Sequence, residues 1–486
     1  MGESKTPYDV IIIGAGLSGI DAAYHLKDKC PHADFAILES RAAIGGTWDL
    51  FKYPGLRADS DTYTFGFSFK PWKDPQAIAD GPAILKYINE TADQFEIREH
   101  IQFNKRVIAS AWNSDTKRWT LEVLSTETTQ SEFMECNFIF SCCGYYNYEH
   151  GYEPVFPNFE AFKGLKIHPQ QWDVNLDYTD KNIVIIGSGA TAVTMLPQLA
   201  QKARHVTMLQ RSPTYIANMP REDPIANFLK RNCPTQFAHT ILRWKTILIG
   251  IGFYWTSRKY PNAIKSLLKN HIKEVLGDKY KDRDFEPKYN VWDQRLCLVP
   301  DDDLFEAIKK GKASIVTDTI KTFGEKGIEL VSGETLPADI IVTATGLSVQ
   351  VFGGMKIEVN GKPIDTSTLY AYKGVMLSEI PNFAFALGYT NASWTLKCDL
   401  NCQFVARVLN YMKQNHYAVC IPQFDYDNLK SEALVNFNSG YISRAKGILP
   451  KQGSKPPWKV HQNYIKDIFL LKYADVKDRH LIYKSS

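Results

Sequence analysis

The sequence lacks the features that define several protein classes. Its nine cysteines include no C-x-x-C pair and no zinc-binding spacing, so we expect neither a disulfide scaffold nor a metal site. The formal net charge of +4 over 486 residues is too small to indicate a nucleic-acid partner. The length is enough for two or three domains, and scattered cysteines are typical of a reduced, cytoplasmic protein.

Long hydrophobic runs and a signal peptide are also missing. The longest apolar run, at residues 247–255, is far shorter than the roughly 20 residues that span a bilayer, so we expect no transmembrane segment. The polar first residues are unlike a secretion signal. Residues 220–290 predict a helical insertion with an apolar stripe and a row of lysines. A solvated surface is the first interpretation of this face, and weak contact with a membrane is the alternative.

A glycine-rich turn follows the first predicted strand. Residues 10–13 are aliphatic and mostly β-branched, which is typical of a buried parallel strand. Gly14, Gly16 and Gly19 then follow in the spacing that permits a tight turn, a close pyrophosphate and a closely packed helix. Glu39 ends the next predicted strand, 20 residues after Gly19, where a carboxylate binds a ribose hydroxyl. This unit predicts an FAD site.

A second unit of the same kind begins at residue 182. Residues 182–186 repeat the apolar strand, and residues 187–192 repeat the glycine turn 173 positions after the first. Gln210 and Arg211 stand where the first unit has Glu39. An arginine at this position accommodates a ribose 2′-phosphate. The second unit therefore predicts an NADPH site.

The repeat predicts an α/β fold with two Rossmann-like dinucleotide-binding domains and a helical insertion in the second. We expect residues 1–148 to form the first part of the FAD domain. Residues 149–346 would form the NADPH domain, with the insertion at 220–290. Residues 347–486 would complete the FAD domain and add a C-terminal tail. Helices are predicted at residues 80–95 and 399–411.

The segment at residues 162–172 joins the two units. It contains Phe162, Gly164, His168 and Trp172 at spacings of two, four and four, which do not fit one helix face. By itself the segment is typical of a turn-rich connector ahead of a strand. Its position indicates a role in linking the two cofactor domains rather than in acid–base chemistry, since a lone histidine is usually structural.

Together these motifs resemble the class B flavoprotein monooxygenases. The series Phe162, Gly164, His168, Trp172 and Asp173 resembles the signature of the Baeyer–Villiger type. Relatives that oxygenate nitrogen or sulfur usually carry tyrosine or phenylalanine where Trp172 stands. Residues 45–51, 293–300 and 388–395 extend the resemblance, in particular to the ethionamide-activating subgroup, over nearly the whole chain.

The resemblance implies roles for two sets of residues and for a catalytic pair. The FAD-binding set would be Gly14, Gly16, Ser18, Gly19, Glu39, Gly46, Thr47, Trp48, Asp49, Leu50, Asp59 and Val107. The NADP-binding set would be Arg57, Ala58, Asp59, Gly187, Ser188, Gly189, Ala190, Thr191, Ala192, Val193, Gln210 and Arg211. Arg295 corresponds to the catalytic arginine of the family, and Asp59 would orient it.

One position departs from the pattern of many family members. They carry a lysine before the catalytic arginine, where it helps to bind the 2′-phosphate, but this chain carries Gln294. The ethionamide-activating subgroup also resembles this chain in having glutamine there. How strictly the protein selects NADPH over NADH is therefore open at the level of sequence.

The resemblance implies insertion of one oxygen atom of O₂ into a ketone, which gives an ester or lactone. NADPH would reduce the flavin, and addition of O₂ to the reduced flavin would give the C4a-peroxyflavin that transfers the oxygen atom. Sulfides or thioamides would be further substrates. The nearest alternative is a flavin monooxygenase that acts mainly on sulfur or nitrogen. A flavin disulfide reductase is disfavoured because no C-x-x-C pair is present. An NADPH-binding sensor without turnover is the alternative from a different class.

Overall fold

The computed structural model describes residues 6–294, 296–424, 429–435 and 440–485, with the backbone alone of Tyr441 and Lys446. Two sheets dominate this part of the chain. The first has eleven strands and the second has five. Each sheet carries one of the two glycine turns, so the repeat in the sequence corresponds to a repeat in the fold.

The first sheet unites two distant parts of the chain. Its parallel centre is β1 (Tyr8–Ile13), which lies between Phe35–Leu38 and Ser131–Ser141. Residues 10–13 are buried, which explains their aliphatic run, because strands covered on both faces need no polar side. The other strands of this sheet are Ile101–Gln102, Lys105–Asn113, Arg118–Ser125, Lys356–Val359, Lys362–Pro363, Ala371–Tyr372, Met376–Leu377 and Phe383–Phe385.

The second sheet is parallel throughout. Its strand order is Ala313–Thr317, His205–Gln210, β2 (Asn182–Ile186), Ile340–Val342 and Leu165–Ile167. The edge strand Leu165–Ile167 lies inside the segment that the sequence pattern predicts to be a connector. That prediction was wrong in part, because pairing with Ile340–Val342 draws three residues of the segment into the sheet.

Smaller strand groups complete the β-structure. A three-stranded antiparallel group contains Ile320–Gly324, Gly327–Leu330 and Thr335–Pro337. Two-stranded pairs are Ile216–Met219 with Cys297–Pro300, Tyr417–Pro422 with Leu481–Ser485, and Ser431–Ala433 with Lys451–Gly453. Tyr146–Gly151 and Leu347–Val349 also pair, in antiparallel fashion. We name this last pair the crossing ribbon, because its two strands are where the chain leaves the first sheet and later returns to it.

Four helices position the site. They are α1 (Leu17–Lys29), α2 (Ala190–Leu199), α3 (Thr235–Lys259) and α4 (Trp394–Gln414). The remaining α-helices are Thr47–Leu50, Thr62–Phe65, Gly81–Gln94, Pro224–Asn232, Pro261–Leu276, Asp282–Phe285, Asp303–Lys309, Gly440–Arg444 and Tyr464–Asp467. A π-helix spans Ile468–Tyr473, and 3₁₀ turns span Arg98–His100, Phe159–Ala161, Pro169–Gln171, Gly277–Lys279, Val351–Gly354, Thr366–Thr368 and Ala445–Gly447.

Four helices lie in the predicted insertion: Pro224–Asn232, α3, Pro261–Leu276 and Asp282–Phe285. One face of α3 is buried at Leu242 and Ile247, while its other face exposes Trp244, Leu248 and Trp255. Arg243 anchors this helix to the first domain, since its guanidinium donates to the Gly66 carbonyl at 2.7 Å. Across the described ranges, no helix combines the length and the apolar content that a bilayer span requires.

Candidate functional site

A cavity of about 1170 Å³ lies between the two sheets and is lined by both glycine turns. This volume exceeds that of ordinary small-ligand pockets. The cavity brings together most of the predicted cofactor residues: Gly14, Gly16, Ser18, Glu39, Gly46, Thr47, Trp48, Arg57, Ala58, Asp59, Val107, Gly187, Ser188, Gly189, Ala190, Thr191, Val193, Gln210 and Arg211. Predicted residues that do not line it are Gly19, Asp49, Leu50, Ala192, Phe162, Gly164, His168 and Trp172.

The first glycine turn is built by close backbone approaches. Gly14 has a φ of +103°, and a Cβ there would lie 2.8 Å from the Cys142 carbonyl oxygen. A Cβ on Gly19 would lie 1.9 Å from the Gly14 carbonyl oxygen. Helix α1 starts after Gly16 with no side-chain cap and no acidic residue in its first turn. Its first N–H groups are therefore available to a pyrophosphate in the cavity.

Glu39 fixes the same turn from the end of its strand. Its carboxylate is buried and accepts hydrogen bonds from the Ala15 N–H at 2.7 Å and the Arg41 N–H at 2.9 Å. Burial raises the pKa of Glu39, although these hydrogen bonds oppose the shift. A carboxylate has about four lone-pair sites, so Glu39 can hold the turn and still accept a ribose hydroxyl.

The residues around the predicted flavin position divide into two groups. Thr47 and Trp48 line the cavity, and the Thr47 hydroxyl shares a hydrogen bond with the Tyr148 hydroxyl at 3.2 Å. Asp49 instead forms an ion pair with Arg41. Neither Asp49 nor Leu50 lines the cavity. Their direct contact with a flavin stays a prediction.

Ser18 connects the first turn to the last part of the chain. Its hydroxyl accepts a hydrogen bond from the Trp394 indole N–H at 3.1 Å and contacts the Cys398 sulfur at 3.3 Å. Both partners lie on α4. The C-terminal part of the chain thereby supports the glycine turn at the cavity wall.

The second glycine turn repeats the first with one difference. Gly187 has a φ of +141°, and a Cβ there would lie 2.2 Å from the Ala344 carbonyl oxygen. At Gly189 a Cβ would have no atom within 4 Å. Gly189 precedes α2, which has neither a side-chain cap nor an acidic residue in its first turn. This turn therefore leaves both space and free N–H groups for a second pyrophosphate.

Gln210 and Arg211 differ in whether their side chains are free to bind a ligand in the cavity. The Gln210 amide group donates to the Asp284 carbonyl and to the Thr317 hydroxyl, both at 2.9 Å, and Gln210 is buried. The amide N–H groups of Gln210 thus join the second sheet to the helical insertion and are not free to bind a ligand. Arg211 is exposed on the cavity wall and forms no ion pair within the described part of the chain. Arg211 is therefore the better candidate to bind a 2′-phosphate.

Arg57 joins the two domains across the cavity. Its guanidinium forms an ion pair with Asp303 at 2.5 Å, and its side chain is largely buried. Asp59, two residues further on, lines the cavity. Arg295, the predicted catalytic residue, lies outside the described residues. Gln294 and Cys297 both line the cavity.

The signature residues pack between structural elements rather than around the cavity. Phe162 and Trp172 are buried in two apolar clusters of the second domain. A Cβ on Gly164 would lie 2.5 Å from the Asp339 carbonyl oxygen, so only glycine fits beside the edge strand. His168 contacts the crossing ribbon at two points. Its Nε2 hydrogen-bonds the carbonyl of Gly346, just before the second strand, at 3.2 Å, and its ring packs against Gly151, the last residue of the first strand.

His168 is held as a neutral ring. Its Nδ1 accepts a hydrogen bond from the Gln170 N–H at 3.2 Å, so the proton lies on Nε2, which donates to Gly346. Burial lowers the pKa of His168 below its usual value. These contacts agree with a linking role, and His168 does not line the cavity.

We expect His168→Ala to uncouple the reaction without slowing the first step. Loss of the ring would loosen the contact between the crossing ribbon and the second domain, so water would enter during oxygenation. Reduction of the flavin by NADPH should stay normal in stopped-flow absorbance, while hydrogen peroxide release per NADPH should rise several-fold. His32→Ala, an exposed histidine, is the control. Unchanged coupling in His168→Ala would contradict the linking role.

Three residues of the cavity wall, Tyr53, Tyr148 and Arg444, were not predicted from the sequence. Tyr53 hydrogen-bonds Thr191 and Thr194 on α2, and burial raises its pKa to about 12. Tyr148 supports Thr47, as described above. Arg444 lines the cavity from the last part of the chain. Each contact joins residues far apart in sequence, and no local motif marks them.

Comparison with known proteins gives the family. The model of the flavin-binding monooxygenase-like family matches residues 66–414, and the model of an NAD(P)-binding Rossmann-like domain matches residues 12–75. Over 475 residues the chain is 50% identical to the FAD-containing monooxygenase EthA of Mycobacterium tuberculosis, which covers 97% of both chains. The protein belongs to the flavin-binding monooxygenase-like family.

Other relatives of this flavin-binding monooxygenase support the same family and the same fold. The probable FAD-binding monooxygenase AlmA of Acinetobacter baylyi is 46% identical, over 97% of this chain and 95% of that one. An oxidized steroid monooxygenase bound to NADP has the same fold, with a TM-score of 0.79 at 19% identity over 99% of this chain and 100% of that one. Cyclohexanone monooxygenase from Rhodococcus sp. Phi1 bound to NADP⁺ has a TM-score of 0.75 at 18% identity, over the same shares. The predicted α/β fold with two dinucleotide-binding domains and the predicted family are confirmed.

Proposed function

We propose that this flavin-binding monooxygenase is an FAD- and NADPH-dependent enzyme of the Baeyer–Villiger type. The overall reaction converts a ketone, O₂, NADPH and a proton into an ester or lactone, NADP⁺ and water. The observation that carries the proposal is the single cavity lined by two uncapped helix N-termini, one from each glycine turn. One helix N-terminus would bind the pyrophosphate of FAD and the other would bind that of NADPH.

The chain supplies binding and orientation on both sides of the cavity. The N-terminus of α1 and Glu39 would hold the FAD pyrophosphate and ribose, and the N-terminus of α2 would hold the NADPH pyrophosphate. Arg211 would bind the 2′-phosphate. FAD, when bound, accepts a hydride from NADPH and activates O₂ for transfer of one oxygen atom. The pairing of Arg57 with Asp303 holds the two domains together around these cofactors.

Arg295 and Asp59 are proposed as the catalytic pair. A fixed cation beside the substrate carbonyl stabilises the negative charge that develops on its oxygen during attack. A carboxylate beside that cation orients it. Asp59 lines the cavity, as do Gln294 and Cys297. The roles of Arg295 and Asp59 rest on the family resemblance together with this arrangement of the cavity wall.

The wall near the first turn favours an apolar substrate. It contains Trp48, Phe65, Tyr145, Tyr389 and Trp394, and the rings of Tyr145 and Trp394 stack with centroids 5.1 Å apart. Burial of apolar surface contributes roughly 25 cal/mol per Å². We therefore propose small or medium-sized uncharged ketones as substrates, with thioethers and thioamides as further substrates.

Oxidation of sulfur or nitrogen is the second candidate. The residue that favours ketone oxidation in the sequence pattern is Trp172, but Trp172 is buried in the second domain and does not line the cavity. Contact with Trp172 therefore cannot select the substrate. The choice depends on the cavity wall and on the charge supplied at Arg295.

The same proposal includes a cytoplasmic location with weak contact to a membrane surface. The nine cysteines are all free thiols, which agrees with a reducing compartment. The exposed face of α3, with Trp244, Leu248 and Trp255, supports the contact with a membrane.

Product analysis tests the proposed reaction. Purified FAD-loaded protein is incubated with NADPH, ¹⁸O₂ and a panel of matched ketones and thioethers, and the products are identified by mass spectrometry. Esters or lactones that contain one ¹⁸O atom are the expected result. Sulfoxides without any ester would support the second candidate, and NADPH consumption that no substrate stimulates would contradict both.

We expect Arg295→Ala to remove ester formation selectively. Loss of one group that stabilises developing negative charge typically lowers the rate about 10²–10³-fold. Flavin reduction by NADPH, followed anaerobically, should persist. Arg204→Ala, an exposed arginine of the second domain, is the control. Ester formation at the normal rate in Arg295→Ala would exclude the proposed role.

A further inference from the structure

Two arginines from distant parts of the chain line the wall of the cavity. Arg211 follows the strand His205–Gln210, and Arg444 ends the short helix Gly440–Arg444. Both line the cavity. They are close enough for the charge on Arg211 to add to the effect of burial, which lowers the pKa of Arg444. Two like charges that interact across a cavity repel each other, and an anion bound between them offsets that repulsion.

Neither arginine is neutralised by the protein. Within residues 6–294, 296–424, 429–435 and 440–485, no carboxylate forms an ion pair with Arg211 or Arg444. Asp318 also lines this cavity, but its carboxylate accepts hydrogen bonds from the N–H groups of Thr319 and Ser332. Two arginines without a carboxylate partner, on the wall of a nucleotide cavity, form a site for a dianion.

Arg444 is held in a defined orientation. Its guanidinium carbon lies 3.4 Å from the centroid of the Tyr152 ring, a stacking contact that leaves the edge of the guanidinium free to bind oxygens. One nitrogen also donates to the Leu347 carbonyl at 3.5 Å. Tyr152 directly follows the first strand of the crossing ribbon, and Leu347 starts the second. The guanidinium is thus positioned on the crossing ribbon, on the wall of the cavity.

The sequence leaves an unfilled role for such a cation. Gln294 stands where many members of the family carry a lysine that helps to bind the 2′-phosphate, and its amide carries no charge. Arg211 alone would then face a phosphate group with close to two negative charges. A second arginine on the same cavity wall, close enough for its charge to interact with Arg211, supplies the missing charge and adds planar, bidentate hydrogen bonding.

We propose that Arg444 binds the ribose 2′-phosphate of NADPH together with Arg211, and that Tyr152 positions it. Arg444 is therefore a residue that determines selectivity for NADPH over NADH. The proposal rests on the proposed use of NADPH and extends it. It also gives the last part of the chain a role in recognising the cofactor of the second domain.

Binding of nucleotide fragments to the FAD-loaded enzyme tests this role apart from catalysis. The probes are 2′,5′-ADP, which carries the 2′-phosphate, and 5′-AMP, which lacks it, and affinities are measured by isothermal titration calorimetry. Arg444→Gln is expected to weaken 2′,5′-ADP binding about 10–100-fold, the range for loss of a charge-assisted hydrogen bond. Binding of 5′-AMP should not change. Arg444→Lys should recover part of the affinity, because it restores charge but not the planar fork.

Steady-state kinetics give a second readout. In Arg444→Gln the KM for NADPH should rise by a similar factor, while kcat with NADPH and both constants with NADH stay within about twofold of normal. Tyr152→Leu, which keeps the arginine but removes the stacking ring, should give a smaller change in the same direction. Arg204→Gln, at the opposite end of the strand from Arg211, is the matched control for loss of one charge.

The outcomes separate this proposal from the proposed function. If the wild-type enzyme binds 2′,5′-ADP and 5′-AMP equally, the use of NADPH itself is contradicted. If the wild-type enzyme prefers 2′,5′-ADP and Arg444→Gln keeps that preference, only the role of Arg444 is overturned. Equal weakening of both ligands in Arg444→Gln, with normal FAD content, would also overturn it, because a structural effect does not depend on the 2′-phosphate.

Discussion

Gly19→Ala is expected to abolish FAD binding and, with it, all oxygenation. A Cβ at this position would lie 1.9 Å from the Gly14 carbonyl oxygen, and neither atom belongs to a side chain that could rotate away. Helix α1 would have to move off β1, which displaces the N–H groups that face the pyrophosphate. Overpacking of a tight site costs about 1–3 kcal/mol or more, and here the strain falls on the binding turn.

The flavin content of the purified variant measures this effect. The ratio of absorbance at the flavin band to protein absorbance should fall to the level of apoprotein, and added FAD should not restore it. Gly189→Ala is the matched control: it makes the same change at the second turn, where a Cβ would have no atom within 4 Å. Normal flavin content in Gly19→Ala would show that the close packing of α1 on β1 is not required.

Lys397→Met is expected to destabilise the protein by about 3–5 kcal/mol, the range for removing one partner of a buried ion pair. Lys397 and Asp467 are both fully buried, and the lysine nitrogen lies 2.8 Å from the aspartate oxygen. The Tyr389 hydroxyl donates to the same oxygen at 2.6 Å, and burial raises the pKa of Tyr389. Without the lysine, the Asp467 carboxylate would be left in a buried site that lacks a cation.

Urea unfolding followed by tryptophan fluorescence measures this loss. Lys413→Met, an exposed lysine in the last turn of the same helix, should change stability by only a few tenths of a kcal/mol, since an exposed helix-end charge contributes about 0.3–1 kcal/mol. The double variant Lys397→Met with Asp467→Leu should recover most of the stability, because it removes both charges. Stability of Lys397→Met equal to that of the wild type would show that the pair is not required.

The parts of the fold set by local sequence were predicted well. The strand at residues 10–13, the turn with Gly14 and Gly19, and the helix at residues 80–95 all agree with the structure. Each of these elements is determined by residues close together in the sequence. The determinants are an aliphatic run, glycines at fixed spacing, and Asp80 as an N-cap. The cavity residues next to the glycine turns followed directly from them.

Elements set by distant contacts were predicted less well. The strand Leu165–Ile167 is only three residues long and exists because Ile340–Val342 lies beside it, so no local preference marks it. Helix α4 starts at Trp394 rather than near residue 399, because its first turn is buried against the first domain, where Thr395 donates to the Phe65 carbonyl. Arg444 reaches the cavity from more than 200 residues beyond Arg211, and no sequence spacing predicts that meeting.

The crossing ribbon has a mechanical consequence. The chain passes between the two sheets twice, and because these passages are hydrogen-bonded to each other as antiparallel strands, we expect them to bend together as one hinge rather than as two independent tethers. Such a hinge permits rotation of one domain against the other but resists sliding and separation. Rotation would change the angle between the two glycine turns while the nearby end of the cavity stays closed. A nucleotide could then stay bound at the end of the cavity beside the ribbon while a substrate enters the rest of the cavity.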